Sequence, residues 1–284
     1  MLPKHDVLRA RQAGIILYKV FNNPRLGIFG KTLMPEDILA KGMMRGSYEH
    51  RVFITLTVSI DYQRDADILW EASRKTFDDP STVYLFSPQS VYQVPLQKLR
   101  EDMQKHKLSK KPNKDSWIWR TNAVSFLKKW DGDPLNLIKA TNFDAVQLLG
   151  RIRNDRHEQG NRLVHDFPYL RGNKIAVLWI RMLRDNVKLE LRNMAQVPIP
   201  VDTHIARATQ MLGFSEHLQG KPSFEQIQAI WREAAEGTKL IALDFDEPLW
   251  HLSKYGCSKC TGNCCPKKDQ CPVSGFCIIA KAKC

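Results

Sequence analysis

Apolar residues recur every three or four positions in several stretches of the chain, which is the spacing typical of amphipathic helices. The pattern holds in DADILWEASRKTF, in LQKLREDMQKHKL, between Trp119 and Trp130, and in AVQLLGRI after Asp144. Two segments differ. RVFITLTVS at 51–59 reads as a buried element whose β-branched residues permit a strand, and VKLEL at 187–191 alternates as a strand does. Because other strand signals are scarce, the pattern predicts a mostly α protein.

The composition is that of an ordinary globular protein. With 284 residues, 43% hydrophobic and 26% charged, the chain can form one large or two modest domains, and disordered and fibrous classes are excluded. No apolar run approaches the ~20 residues that a membrane helix needs, and the N-terminus lacks the pattern of a signal peptide. We therefore expect an intracellular protein without a membrane partner, in a reducing compartment where clustered cysteines more often bind metal than form disulfides.

The net charge of +13 favours a polyanionic partner, because each lysine or arginine that meets a phosphate releases counterions. Basic side chains are concentrated in two stretches, 98–120 and the cysteine-rich end from 251 onward. Charge alone leaves a merely basic protein equally open.

Lys174 is the first residue with candidate chemistry. It falls in the first turn of a predicted helix, KIAVLWIRML, directly after the turn Arg171-Gly172-Asn173. The positive end of the helix dipole and apolar neighbours such as Trp179 disfavour an ammonium ion and favour the free amine. A neutral lysine amine is a nucleophile that can form a Schiff base. An exposed charge at a helix start is the commoner role, so this position alone leaves both open.

Asp202 is the second candidate. The segment Pro198-Ile199-Pro200-Val201 is stiff and extended, and it places Asp202 as N-cap of the helix THIARATQML. A carboxylate beside a helix N-terminus stays ionised, as it must if it is to face a developing positive charge. A plain structural cap is the alternative.

Together, GNKIA and VPIPVDTHIARATQMLG resemble the helix-hairpin-helix DNA glycosylases, in which a Gly-x-Lys-x-Ala hairpin precedes a Val-Asp-Thr-His-[Ile/Val]-x-Arg helix. Residues 201–208 can be read against the second motif without a gap. The hairpin departs from the pattern: the family usually has Leu-Pro-Gly-Val-Gly before its lysine pair, whereas residues 167–172 retain one glycine and are one residue longer.

The resemblance implies a base-excision enzyme that binds double-stranded DNA and flips a damaged, oxidised or otherwise modified base into a pocket. Lys174 would attack the sugar C1′ and form the Schiff base of an AP lyase, and Asp202 would assist. The hairpin residues Arg171, Gly172 and Asn173 would contact DNA, and Tyr62 or Gln63 would fill the gap left by the extruded base. The lesion stays open, because the spacing of 28 positions between the two catalytic candidates is longer than in endonuclease III-like members and is similar to that of archaeal 8-oxoguanine glycosylases.

All seven cysteines fall within the last 28 residues. Two of their spacings, Cys257-x6-Cys264 and Cys271-x5-Cys277, match the C-terminal [4Fe–4S] loop of endonuclease III-like members, but six residues rather than two separate Cys264 from Cys271. The resemblance implies that Cys257, Cys264, Cys271 and Cys277 hold a [4Fe–4S] cluster. Zinc is the alternative metal, and Cys260 and Cys265 are alternative ligands.

The cysteine loop is also basic. The resemblance implies that Lys259, Lys267 and Lys268 are presented to DNA by a metal-shaped loop, 257–277, with no necessary role in bond cleavage.

The expected architecture is a mostly α, two-domain helix-hairpin-helix DNA glycosylase fold with a C-terminal [4Fe–4S] cluster loop. Residues 48–186 would form a central helical domain that ends in the hairpin, and residues 1–47 plus 187–284 a second helical domain. The active site is expected in the cleft between them, in a protein that acts as a monomer. Two other functions remain open: a monofunctional glycosylase or lesion-binding protein, and a non-catalytic metal-stabilised nucleic-acid-binding module.

Overall fold

The computed structural model describes residues 4–215 and 222–278, without the side chains of residues 4 and 5. This part of the chain is mostly helical, as predicted, with one small antiparallel sheet. None of its helices is both long enough and apolar enough to cross a membrane. The helices are α1 (Lys4–Phe21), α2 (Tyr48–Ser59), α3 (Ala66–Asp78), α4 (Pro88–Gln93), α5 (Leu96–Lys105), α6 (Pro112–Trp130), α7 (Pro134–Ala140), α8 (Ala145–Asn154), α9 (Asn173–Asp185), α10 (Thr203–Met211), α11 (Phe224–Ala235) and α12 (Asp246–Tyr255), and the strands are β1 (Arg156–Gln159) and β2 (Arg162–His165).

The chain divides into two compact units. Met34–Met194 forms one unit, which contains α2 to α9 and the sheet; the described residues of Met1–Leu33 and Ala195–Cys284 form the other, with α1 and α10 to α12. The second unit is therefore built from both ends of the chain. We call them the central unit and the terminal unit.

Residues 51–59, which the sequence allowed to be a strand, belong to helix α2. Ser47 caps this helix by accepting a hydrogen bond from His50 N, and all residues from Val52 to Ser59 are buried. A helix that is buried on every side has no polar face, so its sequence lacks helical periodicity. The β-branched residues here reflect burial in the centre of a helical unit.

The predicted strand VKLEL does not form either. Its first residues close helix α9: Val187 N donates to Met182 O at 3.0 Å, and Leu189 N donates to Leu183 O at 3.0 Å. Lys188 between them has a left-handed backbone, with φ of 67°. The alternation of apolar residues therefore reflects a C-terminal helix turn that packs against the core, with no neighbouring strand.

The predicted helices at α3, α5, α6 and α8 are all present. Helix α8 begins after Asp144, whose Oδ1 accepts hydrogen bonds from Val146 N and Gln147 N at 2.9 Å, and α6 ends where Asp131 and Gly132 adopt left-handed conformations. Local capping chemistry therefore fixed these ends where the sequence placed them.

Helix α9 is anchored deep in the central unit. Residues 175–183 are buried, and the Trp179 indole Nε1 donates to Thr55 Oγ1 of α2 at 2.9 Å. Because this contact joins two buried helices, it fixes the position of the exposed first turn of α9, which carries Lys174.

Aromatic packing positions helix α10 in the terminal unit. The Trp231 indole of α11 donates to Thr209 Oγ1 of α10 at 2.9 Å, and the rings of Phe214 and Phe245 pack on Trp231 at centroid distances of 5.9 and 5.4 Å. These contacts anchor the C-terminal end of α10, the helix that Asp202 caps, to the core of the terminal unit.

The strands β1 and β2 form a hairpin that the sequence pattern did not predict. They pair antiparallel between α8 and the turn that leads into α9, with Arg156 opposite His165 and Gln159 opposite Arg162. Both strands are polar and largely exposed, so no buried alternation marked them.

Candidate active site and cysteine-lined cavity

Lys174 lies in the first turn of α9, as predicted, two residues after the N-cap residue Gly172. Its Nζ lies 3.1 Å from Asp61 Oδ2, in the turn that follows α2. The Lys174 side chain is 27% exposed and that of Asp61 is 7% exposed, so the pair lies at the surface end of the buried interface between α2 and α9. Partial burial strengthens such a contact, and the carboxylate stabilises the ammonium form of the lysine.

Asp61 is not among the candidate site residues that the sequence indicated. Nothing marked it in the sequence except its place beside Tyr62 at the end of an apolar segment, and only the packing of α2 on α9 brings it to Lys174. An aspartate at the end of an apolar segment, directly before a predicted turn, was the available signal.

Tyr62 is anchored in the central unit. Its hydroxyl donates to the buried carboxylate of Asp115, and its ring packs on that of Tyr169 with centroids 4.9 Å apart. Burial, with the Asp115 carboxylate beside the phenol, raises the pKa of Tyr62, so the hydroxyl stays protonated. This side chain is therefore held in place by the protein.

Gln63 differs from its neighbour. Its side chain is exposed, its backbone is left-handed with φ of 51°, and its Oε1 accepts a hydrogen bond from Lys111 Nζ at 2.7 Å. A left-handed conformation is uncommon for a residue other than glycine and is frequent at functional turns. Of the two predicted gap-filling residues, Gln63 is the one that projects from the surface.

Three lysines of the basic stretch 98–120 surround this turn, and the sequence did not single them out. Lys110 Nζ donates to Gln63 O at 2.5 Å, and Lys114 Nζ lies 4.9 Å from the ring centre of Tyr62 and 4.4 Å from that of Tyr169. With Lys111, they concentrate positive charge around the turn at Tyr62 and Gln63.

The predicted hairpin residues form a tight turn before α9. Arg171 N donates to Phe167 O at 3.0 Å, and Gly172 N donates to Tyr169 O at 2.9 Å. A Cβ on Gly172 would lie 3.1 Å from that same carbonyl, so a larger residue would crowd this turn. Asn173 is exposed as the first residue of α9. The turn follows the β1–β2 hairpin, so it does not follow a helix directly.

Asp202 is the N-cap of α10, as predicted. Its Oδ1 accepts hydrogen bonds from His204 N and Ile205 N, both at 2.8 Å, and Oδ2 receives none from the described residues. One carboxylate oxygen therefore serves the helix, and the other can interact with a ligand.

The side chains of the Val-Asp-Thr-His motif pack against α12. His204 Nδ1 and Arg207 Nη1 each lie 3.3 Å from Ser253 Oγ, and the His204 ring packs on Trp250 with centroids 5.3 Å apart. These contacts hold the first turn of α10, and hence Asp202, against the helix that leads into the cysteine loop.

The cysteine loop borders a small cavity that is partly open to solvent. Among the described residues, no three His, Cys, Asp or Glu side chains converge closely enough to ligate a single metal ion; the thiols surround a space instead. Apolar side chains such as Leu252 and Val273 complete the wall. The cysteines that line the cavity are Cys257, Cys260, Cys265, Cys271 and Cys277.

Three of these thiols hold their protons more tightly than a free cysteine does. Burial raises the pKa of Cys257, that of Cys260 to about 12 and that of Cys271 to about 11, with neighbouring thiols adding to the shifts of Cys257 and Cys260. Ligation needs thiolates, so metal binding here would release protons. A ring of soft sulfur donors around a cavity with mostly apolar walls fits an iron–sulfur cluster.

Cys264, which the sequence includes among the expected ligands, is not among the residues that line this cavity. It is disulfide-bonded, whereas its neighbour Cys265 is a buried free thiol that lines the cavity. The reason is local: Thr261 and Cys264 exchange backbone hydrogen bonds of 3.2 and 3.1 Å in a tight turn. Successive residues in such a bridge point to opposite sides, so one cysteine faces outward and the next inward.

The three lysines predicted to face DNA differ in their surroundings. Lys259 is exposed, Lys267 donates to Gln270 Oε1 at 3.3 Å, and Lys268 lines the cavity. Lys259 is therefore the most accessible cation of the three.

The architecture is similar to that of solved structures. No protein-family model and no curated protein sequence matches the chain. The chain is similar to endonuclease III in a non-covalent complex with DNA, at 15% identity and a TM-score of 0.57, over 99% of this chain and 98% of that one. It is also similar to a thermostable thymine-DNA glycosylase, at 12% identity and a TM-score of 0.58, over 96% of this chain and 97% of that one. The chain therefore has the helix-hairpin-helix DNA glycosylase fold.

Proposed function

We propose that the protein is a DNA glycosylase that excises a modified base and, through Lys174, cleaves the resulting abasic site. The observation that carries the proposal is the placement of the two motif residues: Lys174 begins one buried helix and Asp202 caps another, in a fold shared with endonuclease III over nearly the whole chain. The net charge of +13 suits a DNA substrate.

The proposed chemistry uses each residue at a stated atom. Lys174 Nζ, as the free amine, adds to the sugar C1′ while the N-glycosidic bond breaks, and the base leaves with the bonding electron pair and a proton. The sugar ring then opens to a Schiff base, and loss of a C2′ proton expels the 3′ phosphate. Asp202 Oδ2 faces the positive charge that develops on the sugar and assists the proton transfers.

We further propose that the cysteine loop holds a [4Fe–4S] cluster through Cys257, Cys265, Cys271 and Cys277. Three of these belong to the set that the sequence indicated, and Cys265 replaces Cys264 because it is the one that lines the cavity. When bound, the cluster would supply a structural crosslink that presents Lys259 to DNA; the bond-breaking steps need only the protein side chains.

A monofunctional glycosylase is the second candidate, and one observation favours it. The Lys174 ammonium is paired with Asp61, and a protonated lysine is not a nucleophile. In that case base excision would proceed by attack of water, with Asp202 facing the same developing charge.

Borohydride trapping separates the two functions. Duplexes that contain oxidised pyrimidines, 8-oxoguanine, uracil, hypoxanthine or mismatches would first be scored for base release. With any substrate that is processed, sodium borohydride should trap wild-type protein on the DNA, and Lys174→Ala should abolish the adduct, while Lys114→Gln, a change at another lysine of the same unit, should leave it. Base release without an adduct would support the monofunctional enzyme. No release from any duplex, and no adduct with abasic DNA, would overturn the proposal.

A further inference from the structure

The β1–β2 hairpin is closed at its base. Asp166 N donates to Asp155 O at 3.0 Å, so the chain returns to its starting point after ten residues. Gly160, with φ of 59°, makes the two-residue turn at the tip, and residues 158–163 are exposed. An isolated two-stranded hairpin is marginally stable, so this one depends on its attachment at the base.

A buried carboxylate attaches the hairpin to helix α6. Asp166 has no exposed surface, and its side chain accepts hydrogen bonds from Lys129 Nζ at 2.5 Å and His157 Nδ1 at 2.7 Å. Lys129 Nζ also donates to Arg156 O at 3.1 Å, and Ser125 Oγ donates to Asp166 O at 2.6 Å. These hydrogen bonds attach the root of the hairpin to α6. The Asp166 carboxylate is occupied by Lys129 and His157.

The cations on one face of the root form no ion pair among the described residues, although Glu158 shares that face of the hairpin with Arg156 and His165. Antiparallel partners point to the same face, so Arg156 lies with His165, while Arg162 lies on the opposite face with Gln159. Arg171, from the turn before α9, donates through Nε to Arg153 O at 3.1 Å and so joins this group. In the described part of the chain, neither Arg153, Arg156 nor Arg171 forms an ion pair with a carboxylate.

Two buried nitrogens in this group also lack partners. Arg153 Nε and His165 Nδ1 are buried without a hydrogen bond among the described residues. Burial and the neighbouring Arg171 lower the pKa of Arg153, and burial with Arg171 and Arg156 lowers that of His165. Like charges held together at such a site repel one another, and an anion would relieve that repulsion.

We propose that Arg153, Arg156, His165 and Arg171 form a binding site for a backbone phosphate of duplex DNA, at the root of the β1–β2 hairpin. The site extends the DNA contact expected of Arg171, in the turn that precedes Lys174, to the root of the β1–β2 hairpin. Arginine forks bind phosphate oxygens in pairs, which suits a cluster that contains three arginines. That the phosphate belongs to DNA rests on the proposed function. The site is proposed to contribute to binding and not to the chemical steps.

The test compares the two faces of the hairpin. Arg156→Gln and Arg171→Gln remove cations from the proposed site, and Arg162→Gln removes the same charge from the opposite face. Binding to an undamaged duplex and to one with an uncleavable abasic analogue would be titrated from 50 to 300 mM NaCl. Each of the first two changes should weaken binding by about tenfold. Each should also make the negative slope of log K against log salt less steep, by about 1. Arg162→Gln should change both quantities much less.

A deletion guards against misfolded variants. Because Asp155 and Asp166 already meet, replacing residues 156–165 by two glycines should preserve the helical circular dichroism and reproduce the weaker binding. Equal effects of Arg156→Gln and Arg162→Gln would overturn the site and indicate a general charge effect, as would unchanged slopes in both proposed-site variants. Binding is measured without excision, so a protein that binds in this way but releases no base would contradict the proposed function and leave this inference standing.

Discussion

Lys174 Nζ lies 3.1 Å from Asp61 Oδ2, so the candidate nucleophile has a carboxylate partner within its own unit. We expect Asp61→Asn to increase the rate of borohydride trapping on a preformed abasic site at pH 7 by about three- to tenfold, because removal of the carboxylate leaves a larger fraction of free amine. The effect should shrink towards pH 9.5, where more of the wild-type lysine is also neutral. Single-turnover trapping rates measure it.

Asp61→Glu is the matched control, because it keeps the charge and should trap at about the wild-type rate. Slower trapping by Asp61→Asn would show instead that the carboxylate accepts the lysine proton during the reaction. That result would make Asp61 a general base. It would reject the role in which Asp61 only stabilises the ammonium form of Lys174.

The Asp202 carboxylate has one capping oxygen, and this allows its charge to be tested apart from its structural role. In Asp202→Asn the amide oxygen can still accept hydrogen bonds from His204 N and Ile205 N, so α10 should remain capped. We expect base excision to slow by about two orders of magnitude or more, with binding to abasic DNA retained. Single-turnover excision and equilibrium binding would be measured on the same duplex.

Asp144→Asn is the control for this change. Asp144 caps α8 with the same two-amide geometry but lies outside the candidate site. It should alter stability slightly and excision hardly at all. If Asp202→Asn loses DNA binding together with rate, or matches Asp144→Asn in excision, then Asp202 is only a cap.

Local signals in the sequence predicted much of the fold. Asp202 and Asp144 are caps because a short carboxylate side chain satisfies the free amides of a helix start, whatever the rest of the chain does. The amphipathic helices α3 and α5 could also be predicted from the sequence, because each buries one face and exposes the other. Interactions within about four residues are therefore readable from the sequence alone.

The features that depend on distant contacts were missed. Residues 51–59 looked strand-like because α2 is buried on all sides, and Asp61 meets Lys174 only through packing across 113 residues of sequence. The β1–β2 hairpin is polar on both faces and exposes no periodic pattern. Likewise, no spacing rule could tell that the turn at Thr261 directs Cys265, and not Cys264, into the cavity.

The cysteine cavity yields a prediction about metal content. Protein purified without oxygen should contain iron and acid-labile sulfide, with the broad visible absorption near 400 nm that is typical of such clusters (~4 Fe per chain). Cys257→Ser, Cys265→Ser, Cys271→Ser and Cys277→Ser should each lose most of the iron. Cys264→Ser should retain it, because that side chain does not line the cavity.

Cys260→Ser is the informative comparison, since Cys260 also lines the cavity and should keep its iron if Cys265 is the fourth ligand. Loss of iron in Cys260→Ser with retention in Cys265→Ser would exchange their roles. Zinc in place of iron in freshly purified protein would reject the cluster, and loss of iron in Cys264→Ser would restore the ligand set that the sequence spacing indicated.

His50 yields a prediction about stability against pH. It is fully buried at the start of α2, and its Nδ1 accepts a hydrogen bond from Gly46 N at 3.0 Å, which requires the neutral ring. Burial, with Arg45 and Arg51 adding repulsion, lowers the pKa of His50 to about 4. The unfolded chain, with a histidine pKa of about 6.5, therefore binds more protons than the folded protein between these two values, and stability falls as the pH drops from about 6.5 to about 4. The loss from this one group is at most about 3 kcal/mol, and it levels off below pH 4.

Urea unfolding at pH 7.5 and pH 4.5 measures this loss, and His50→Asn isolates it from the carboxylates that titrate in the same range. The asparagine Oδ1 can take the place of His50 Nδ1 as acceptor for Gly46 N, but it cannot be protonated. The variant should be somewhat less stable than wild type at pH 7.5, because the smaller side chain leaves a cavity, and it should lose about 2 kcal/mol less than wild type on going to pH 4.5. Equal losses in the two proteins would show that His50 is not the group that destabilises the fold in acid.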